Sequence, residues 1–186
     1  MTLDALLRFL ATSLSGSGVP FMITGSVAAA YHGAARATMD VDAVIDPTPQ
    51  QLTVLLQRVE NAGLYVSDEA ARVALADRTM FNIIDPETGW KADLIVRKDR
   101  PFSVEEFARK VMTELLGERV AVATLEDVIL SKLEWATIGG SARQLEDVRR
   151  LLTIGSDILD FAYVERWVAS LGLRRAWESV RDEPNT

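Results

Sequence analysis

The 186-residue chain contains no cysteine. That excludes disulfide frameworks, thiolate metal sites and cysteine nucleophiles together. A single histidine, His32, excludes a zinc centre built on several imidazoles. No apolar run approaches the ~20 residues that span a bilayer. The segment MTLDALLRFL has no basic leader region and carries Asp4, so it does not read as a secretion signal. The expectation is a soluble, cytoplasmic protein with no membrane role. Positive charge is also scarce: 20 Lys+Arg stand against 27 Asp+Glu, a net charge of −7. This disfavours a nonspecific binder of phosphate backbones, although one local basic patch could still hold an RNA end. Repeats and low-complexity tracts are absent, and Gly and Pro stand singly except at Gly139–Gly140. What remains is ordinary globular composition, 48% hydrophobic and 25% charged. The length suits one domain, or a compact core with a small helical extension.

Periodicity divides the chain near Thr124. Before it, helices and strands alternate. Leucines near a 3.6 period predict a helix over 2–14, and VPFMIT at 19–24 reads as a buried strand. Gly25–Ser26 breaks that strand, and the Ala-rich stretch 27–35 reads as a helix. MDVDAVI at 39–45 alternates strictly and predicts a strand. Helices are expected over 50–62 and 67–76, then strands over 79–84 and 92–96 joined by a loop at 85–89. A short helix over 103–110, capped by Ser103 with Glu106 at the box position, precedes a strand at 118–123. From Thr124 onward the chain reads as helix only: 124–139, 141–154, 160–171 and 173–182, with a frayed tail from Glu183 to Thr186. The fold class is therefore α/β (α+β), with a mixed-sheet core over 1–123 and a helical subdomain over 124–186.

The chemistry is concentrated in MITGSVAAAYHGAARATMDVDAVID. A glycine at a strand-to-helix corner lets backbone approach a ligand closely. The Ser26 hydroxyl and the N–H groups of the following helix start would face an anion. The next strand carries Asp40 and Asp42, whose i, i+2 spacing places both carboxylates on one face, ~7 Å apart. Hard oxygen ligands beside a phosphate cradle suit Mg²⁺. A third acid, Asp93, sits in the apolar run Ala92–Val96, where a lone carboxylate needs a partner. Three carboxylates, two divalent ions and a triphosphate make a two-metal arrangement, with Asp93 as ligand or as base for an acceptor hydroxyl. Solvated strand-face acids are the simpler alternative.

These residues resemble the signature of the nucleotidyltransferase superfamily, the DNA-polymerase-β-like fold. The pattern reads Thr24-Gly25-Ser26, a spacer of 13 residues, then Asp40-Val41-Asp42-Ala43. Ala43 stands where a larger apolar residue is commoner in the family. Lys91-Ala92-Asp93, Glu126-Asp127 with Lys132, and Arg143 to Asp147 look like the AbiEii-type toxin nucleotidyltransferases and their relatives. The resemblance covers roughly residues 19–152. It implies transfer of a nucleoside monophosphate from an NTP, with Mg²⁺ or Mn²⁺, to a hydroxyl on RNA, protein or a small molecule. It further implies triphosphate binding by Gly25 and Ser26, metal binding and catalysis by Asp40, Asp42 and Asp93, and a phosphate contact from Lys132. A toxin role would bring an antitoxin partner protein. A catalytically inactive nucleotide-binding or protein-interaction module on the same fold is the alternative.

Other residues carry plainer readings. Lys132 serves equally well as a helix lysine paired with a nearby acid. Asp127 fits a helix N-terminus, and Arg143 with Asp147 fits an i, i+4 pair. Arg36 and Thr38 could reach a nucleotide or pair within their loop. The basic stretch Arg97-Lys98-Asp99-Arg100 follows the Asp93 strand and is a candidate acceptor contact. The four tryptophans read as core or partial-surface packing, and His32 as a surface or packed residue.

Overall fold

The computed structural model describes residues 1–181; Asp182 and the tail expected to fray lie outside the described residues. The chain folds as two compact units, one comprising residues 1–27 and 37–123, the other 28–36 and 124 onward.

The first unit is built on a seven-stranded mixed sheet. Its strands are β1 (Phe21–Thr24), β2 (Asp40–Ile45), β3 (Tyr65–Val66), β4 (Met80–Ile84), β5 (Lys91–Val96), β6 (Val111–Leu115) and β7 (Glu118–Val122). They lie in the order β3-β4-β5-β2-β1-β7-β6. β2 is central, parallel to β5 and antiparallel to β1, so the two acid-bearing segments are neighbours. Side-chain alternation sorts their faces. One face presents Val41, Ala43 and Ile45 of β2 and Ala92, Leu94 and Val96 of β5, all fully buried. It is a continuous apolar surface, and the polar residues of both strands fall on the other face.

The helices of this unit are α1 (Leu3–Gly16), α3 (Pro49–Asn61), α4 (Asp68–Asp77) and α5 (Pro101–Arg109), with α2 (Gly25–Tyr31) passing from this unit into the second. α1 and α3 pack against each other, and α1 against β2 and β7. They bury Leu6, Leu7, Leu10 and Leu14, and Leu52, Leu55 and Val59. Each such side chain contributes about 1.5–3 kcal/mol by leaving water. Local chemistry sets their starts. Thr2 accepts from the Ala5 amide, and Thr48 with Gln51 forms a reciprocal capping box ahead of Pro49.

The second unit packs α6 (Leu125–Gly139) against α7 (Ala142–Gly155), α8 (Phe161–Ser170) and α9 (Arg174–Arg181). Its core holds Leu130, Leu133, Val148, Leu151, Val168 and the fully buried Trp177.

Four expectations change. α5 begins at Pro101, so Ser103 is inside the helix and accepts from Arg100 Nε at 3.0 Å instead of capping. β6 was not expected; it is an edge strand with Val111 and Met112 exposed, closed onto β7 by the two-residue turn Leu116–Gly117 at φ +51° and +80°. Positive φ at both positions matches the twist of a tight hairpin. β3 is only two residues long and has no periodicity to read. Finally, α2 has seven residues, too short for a helix-dipole argument at Gly25–Ser26.

Candidate active site

The site begins with registers. β1 sets Thr24 opposite Asp42, β5 sets Asp93 opposite Asp42, and β4 sets Asn82 opposite Asp93. Directly paired residues share a face. Thr24, Asp42, Asp93 and Asn82 therefore form one polar row across four strands. One step along, β2 sets Asp40 beside Lys91 of β5, on the same face.

The corner after β1 locks onto this row. Gly25 has φ +62°, and a Cβ built there would fall 1.9 Å from Asp42 Oδ2. No side chain fits, so glycine is required both by conformation and by the approach of the carboxylate. Ser26 is buried beside it at 5% exposure. Thr38, in the loop before β2, hydrogen-bonds Asp40 Oδ1.

The Asp93 end is saturated. Lys91 Nζ lies 2.9 Å from Asp93 Oδ2 and 3.1 Å from Oδ1, and Asn82 Nδ2 donates to Oδ1 at 2.5 Å. Asp93 is 8% exposed, and burying a carboxylate unpartnered would cost several kcal/mol. Lys91 Nζ is also 3.9 Å from Asp40 Oδ2. Partial burial acts to lower the Lys91 pKa. The Asp93 hydrogen bond and the charges of Asp93, Asp40 and Asp42 outweigh it and hold the ammonium above its ordinary value.

The Asp42 end differs. Thr24 is 5% exposed, and its Oγ1 has no hydrogen-bond partner among the described residues. A buried unsatisfied hydroxyl costs about 1–3 kcal/mol. This cost falls in the same row as the carboxylates.

These observations test the fit of a divalent ion. Asp40 and Asp42 supply hard oxygens from one rigid strand, suited to Mg²⁺ or Mn²⁺. Gly25 brings backbone against Asp42, and the buried Thr24 hydroxyl stands in the same row without a partner among the described residues. The fit is good on the Asp40–Asp42 side. It does not extend to all three acids: among the described residues, no group of three or more His, Asp or Glu side chains is gathered to hold a metal ion.

Lys132 lies in the helical unit, 3% exposed, its ammonium 2.8 Å from Asp147 Oδ2 and 3.0 Å from Gln144 Oε1. Arg36 Nε reaches the same Asp147 oxygen at 3.0 Å. Asp147 thus serves Lys132 and Arg36, where i, i+4 spacing pointed to Arg143. Burial acts to raise the Asp147 pKa, but these two cations bring it below the ordinary carboxylate value. Asp127 is fully buried and accepts from Thr124 Oγ1 at 2.7 Å and Tyr163 Oη at 2.6 Å, tying α6 to α8. Arg97 leaves β5 at the end away from Asp93. It donates to Asp46 at 2.9 Å and pairs with Asp99, so it is committed to structure and is not an open acceptor contact. Thr24, Asn82 and Lys91 had no assigned role in the sequence. Their signal was alternation: each shares the i, i+2 face of its strand with the acids or their register partners.

No family model matches the chain, and no curated protein does either. Solved structures do. The antibiotic-resistance factor ANT(2'')-Ia in solution superposes at TM-score 0.61 with 15% identity, covering 95% of this chain and 94% of its own. An antigenic nucleotidyltransferase-like protein from Paracoccidioides brasiliensis gives 0.58 with 16% identity, over 99% and 94%. Lincomycin-bound LnuA, a lincosamide antibiotic adenylyltransferase, gives 0.56 with 13% identity, over 83% and 98%. The chain has the nucleotidyltransferase fold, a mixed α and β structure with a seven-stranded sheet. These likenesses do not single out the AbiEii-type branch. Among the described residues, no helix is long and apolar enough to cross a membrane.

Proposed function

We propose that the chain is a divalent-ion-dependent nucleotidyltransferase that moves a nucleoside monophosphate from an NTP to a hydroxyl of a small molecule, in the cytoplasm where NTPs are held. The observation that carries this reading is the Asp42 carboxylate, seated against Gly25 and opposite Asp93 in register. Asp40 and Asp42 hold the ion, and Gly25 with Ser26 lies against the triphosphate. Bound divalent ions supply charge neutralisation on the triphosphate and an acidified attacking hydroxyl. The acceptor oxygen bonds to the α-phosphorus as the α–β bridging bond breaks. Pyrophosphate leaves with that electron pair. Asp93, as base or as ligand of a further ion, faces the acceptor hydroxyl and its proton.

Small-molecule acceptors are favoured over RNA by the net charge of −7. They are also favoured by what two fold neighbours bind: ANT(2'')-Ia was solved with adenylyl-2''-tobramycin, an adenylylated small molecule, and LnuA with lincomycin. The test is incubation with α-labelled NTPs, Mg²⁺ or Mn²⁺ and three acceptor pools: hydroxylated small molecules, RNA and protein. Transfer to the first pool, reduced at least ~100-fold in Asp40→Asn and Asp42→Asn, is expected. Label on RNA or protein instead would support a toxin-type enzyme with an antitoxin partner. Metal-dependent nucleotide binding with no transfer would make it a binding module. Absence of both binding and transfer would overturn the reading.

A further inference from the structure

The polar row has two unlike halves. At the Asp93 end every acceptor oxygen is met: Lys91 Nζ bridges both carboxylate oxygens at 2.9 and 3.1 Å, and Asn82 adds a donor at 2.5 Å. At the Asp42 end a buried hydroxyl, Thr24 Oγ1, has no partner among the described residues. An added ion falls to the Asp40–Asp42 side, because a cation already sits on the Asp93 side. That cation belongs to the chain. It is on a strand, anchored two residues from the acid it grips, so backbone geometry keeps it there. Its distance of 3.9 Å to Asp40 Oδ2 ties it to the same cluster. Three carboxylates against one ammonium leave two negative charges, the charge of a single divalent ion.

Resting on the proposed function and narrowing it, we propose that Lys91 is a built-in cation at the Asp93 end, so that the chain takes one divalent ion, on Asp40 and Asp42, where the fold leads one to expect two. Lys91 is then a positioning residue. It holds Asp93 as an oriented carboxylate facing the acceptor side, not as a metal ligand.

Ion counting tests this apart from activity. The full chain is dialysed to equilibrium against Mn²⁺ and a nonhydrolysable ATP analogue, and protein-bound manganese and nucleotide are measured. One manganese per bound nucleotide is expected for wild type and for Lys91→Arg, and two for Lys91→Met, where the released Asp93 joins the ligand set. Asp93→Asn should leave the count at one, and it serves if Lys91→Met does not fold. Two ions in wild type, or an unchanged count in a folded Lys91→Met, overturns the proposal while leaving the nucleotidyltransferase reading intact. No retained nucleotide in wild type overturns both.

Discussion

The two units of the chain each contain a lysine–aspartate pair, and the pairs differ in what surrounds them. In the helical unit Lys132 and Asp147 are both 3% exposed by side chain, with Arg36 and Gln144 completing the shell. In the sheet unit Lys91 is 41% exposed, Asp93 12%, and a buried hydroxyl two strands away has no partner among the described residues. The same two functional groups stand in different surroundings. A buried pair with every donor and acceptor satisfied has only a structural consequence: removing one member strands the other in low dielectric. A pair whose ammonium is half-exposed is partly screened by water, so it holds less of the fold's stability than the fully enclosed one.

The sharpest way to break this contrast is Asp147→Ala. It leaves the buried Lys132, and the partly exposed Arg36, without their anion, and denaturant unfolding should show a loss of about 3–5 kcal/mol, or no fold at all. Lys91→Met leaves the buried Asp93 with Asn82 as its remaining donor and should cost about 1–3 kcal/mol, less than Asp147→Ala because the lost ammonium is half-exposed. Gly25→Ala comes next. A left-handed φ costs about 1–2 kcal/mol, and the added Cβ must displace the Asp42 carboxylate. Unfolding should show that loss, and nucleotide transfer should fall by about 100-fold from misplacement alone. Thr24→Val should move the other way. Replacing an unpartnered buried hydroxyl by a methyl should raise stability by about 1 kcal/mol, with weaker nucleotide binding measured by titration calorimetry.

The smallest effect is acid dependence. The Thr88 hydrogen bond, the Glu87 amide and the Met1 ammonium hold Asp85 at about 2, below the ordinary 3.8. A depressed carboxylate stabilises the fold fully above its unfolded value. That contribution fades as pH falls from about 4 through about 2. An acid titration of thermal stability should show this loss, and Asp85→Asn should abolish it. Asp147, also depressed, adds a loss in the acid range of the same sign.

Much of the sheet was legible because alternation is a strong signal. Asp40 and Asp42 in an alternating run, and Asp93 in an apolar one, marked out their strands and the face shared by the first two. What the pattern could not carry was pairing. That β2 and β5 are neighbours, and that Asp42 rather than Asp40 lies opposite Asp93, depends on a register that no local spacing encodes. The partner of Lys91 was within reach, two residues away on its own strand. Lys132 was not, since its acid comes from a different helix 15 residues on. β6 escaped because an edge strand with both faces wet has no period to read.

The contact between Gly25 and Asp42 ties two positions, seventeen residues apart, into one heritable unit. Any larger residue at 25 forces the acid at 42 to retreat, and shortening the acid to make room discards the group that gives the corner its purpose. Descendants of this chain that keep the carboxylate must keep the glycine. Drift at residue 25 would then mark the lineages that have abandoned the chemistry.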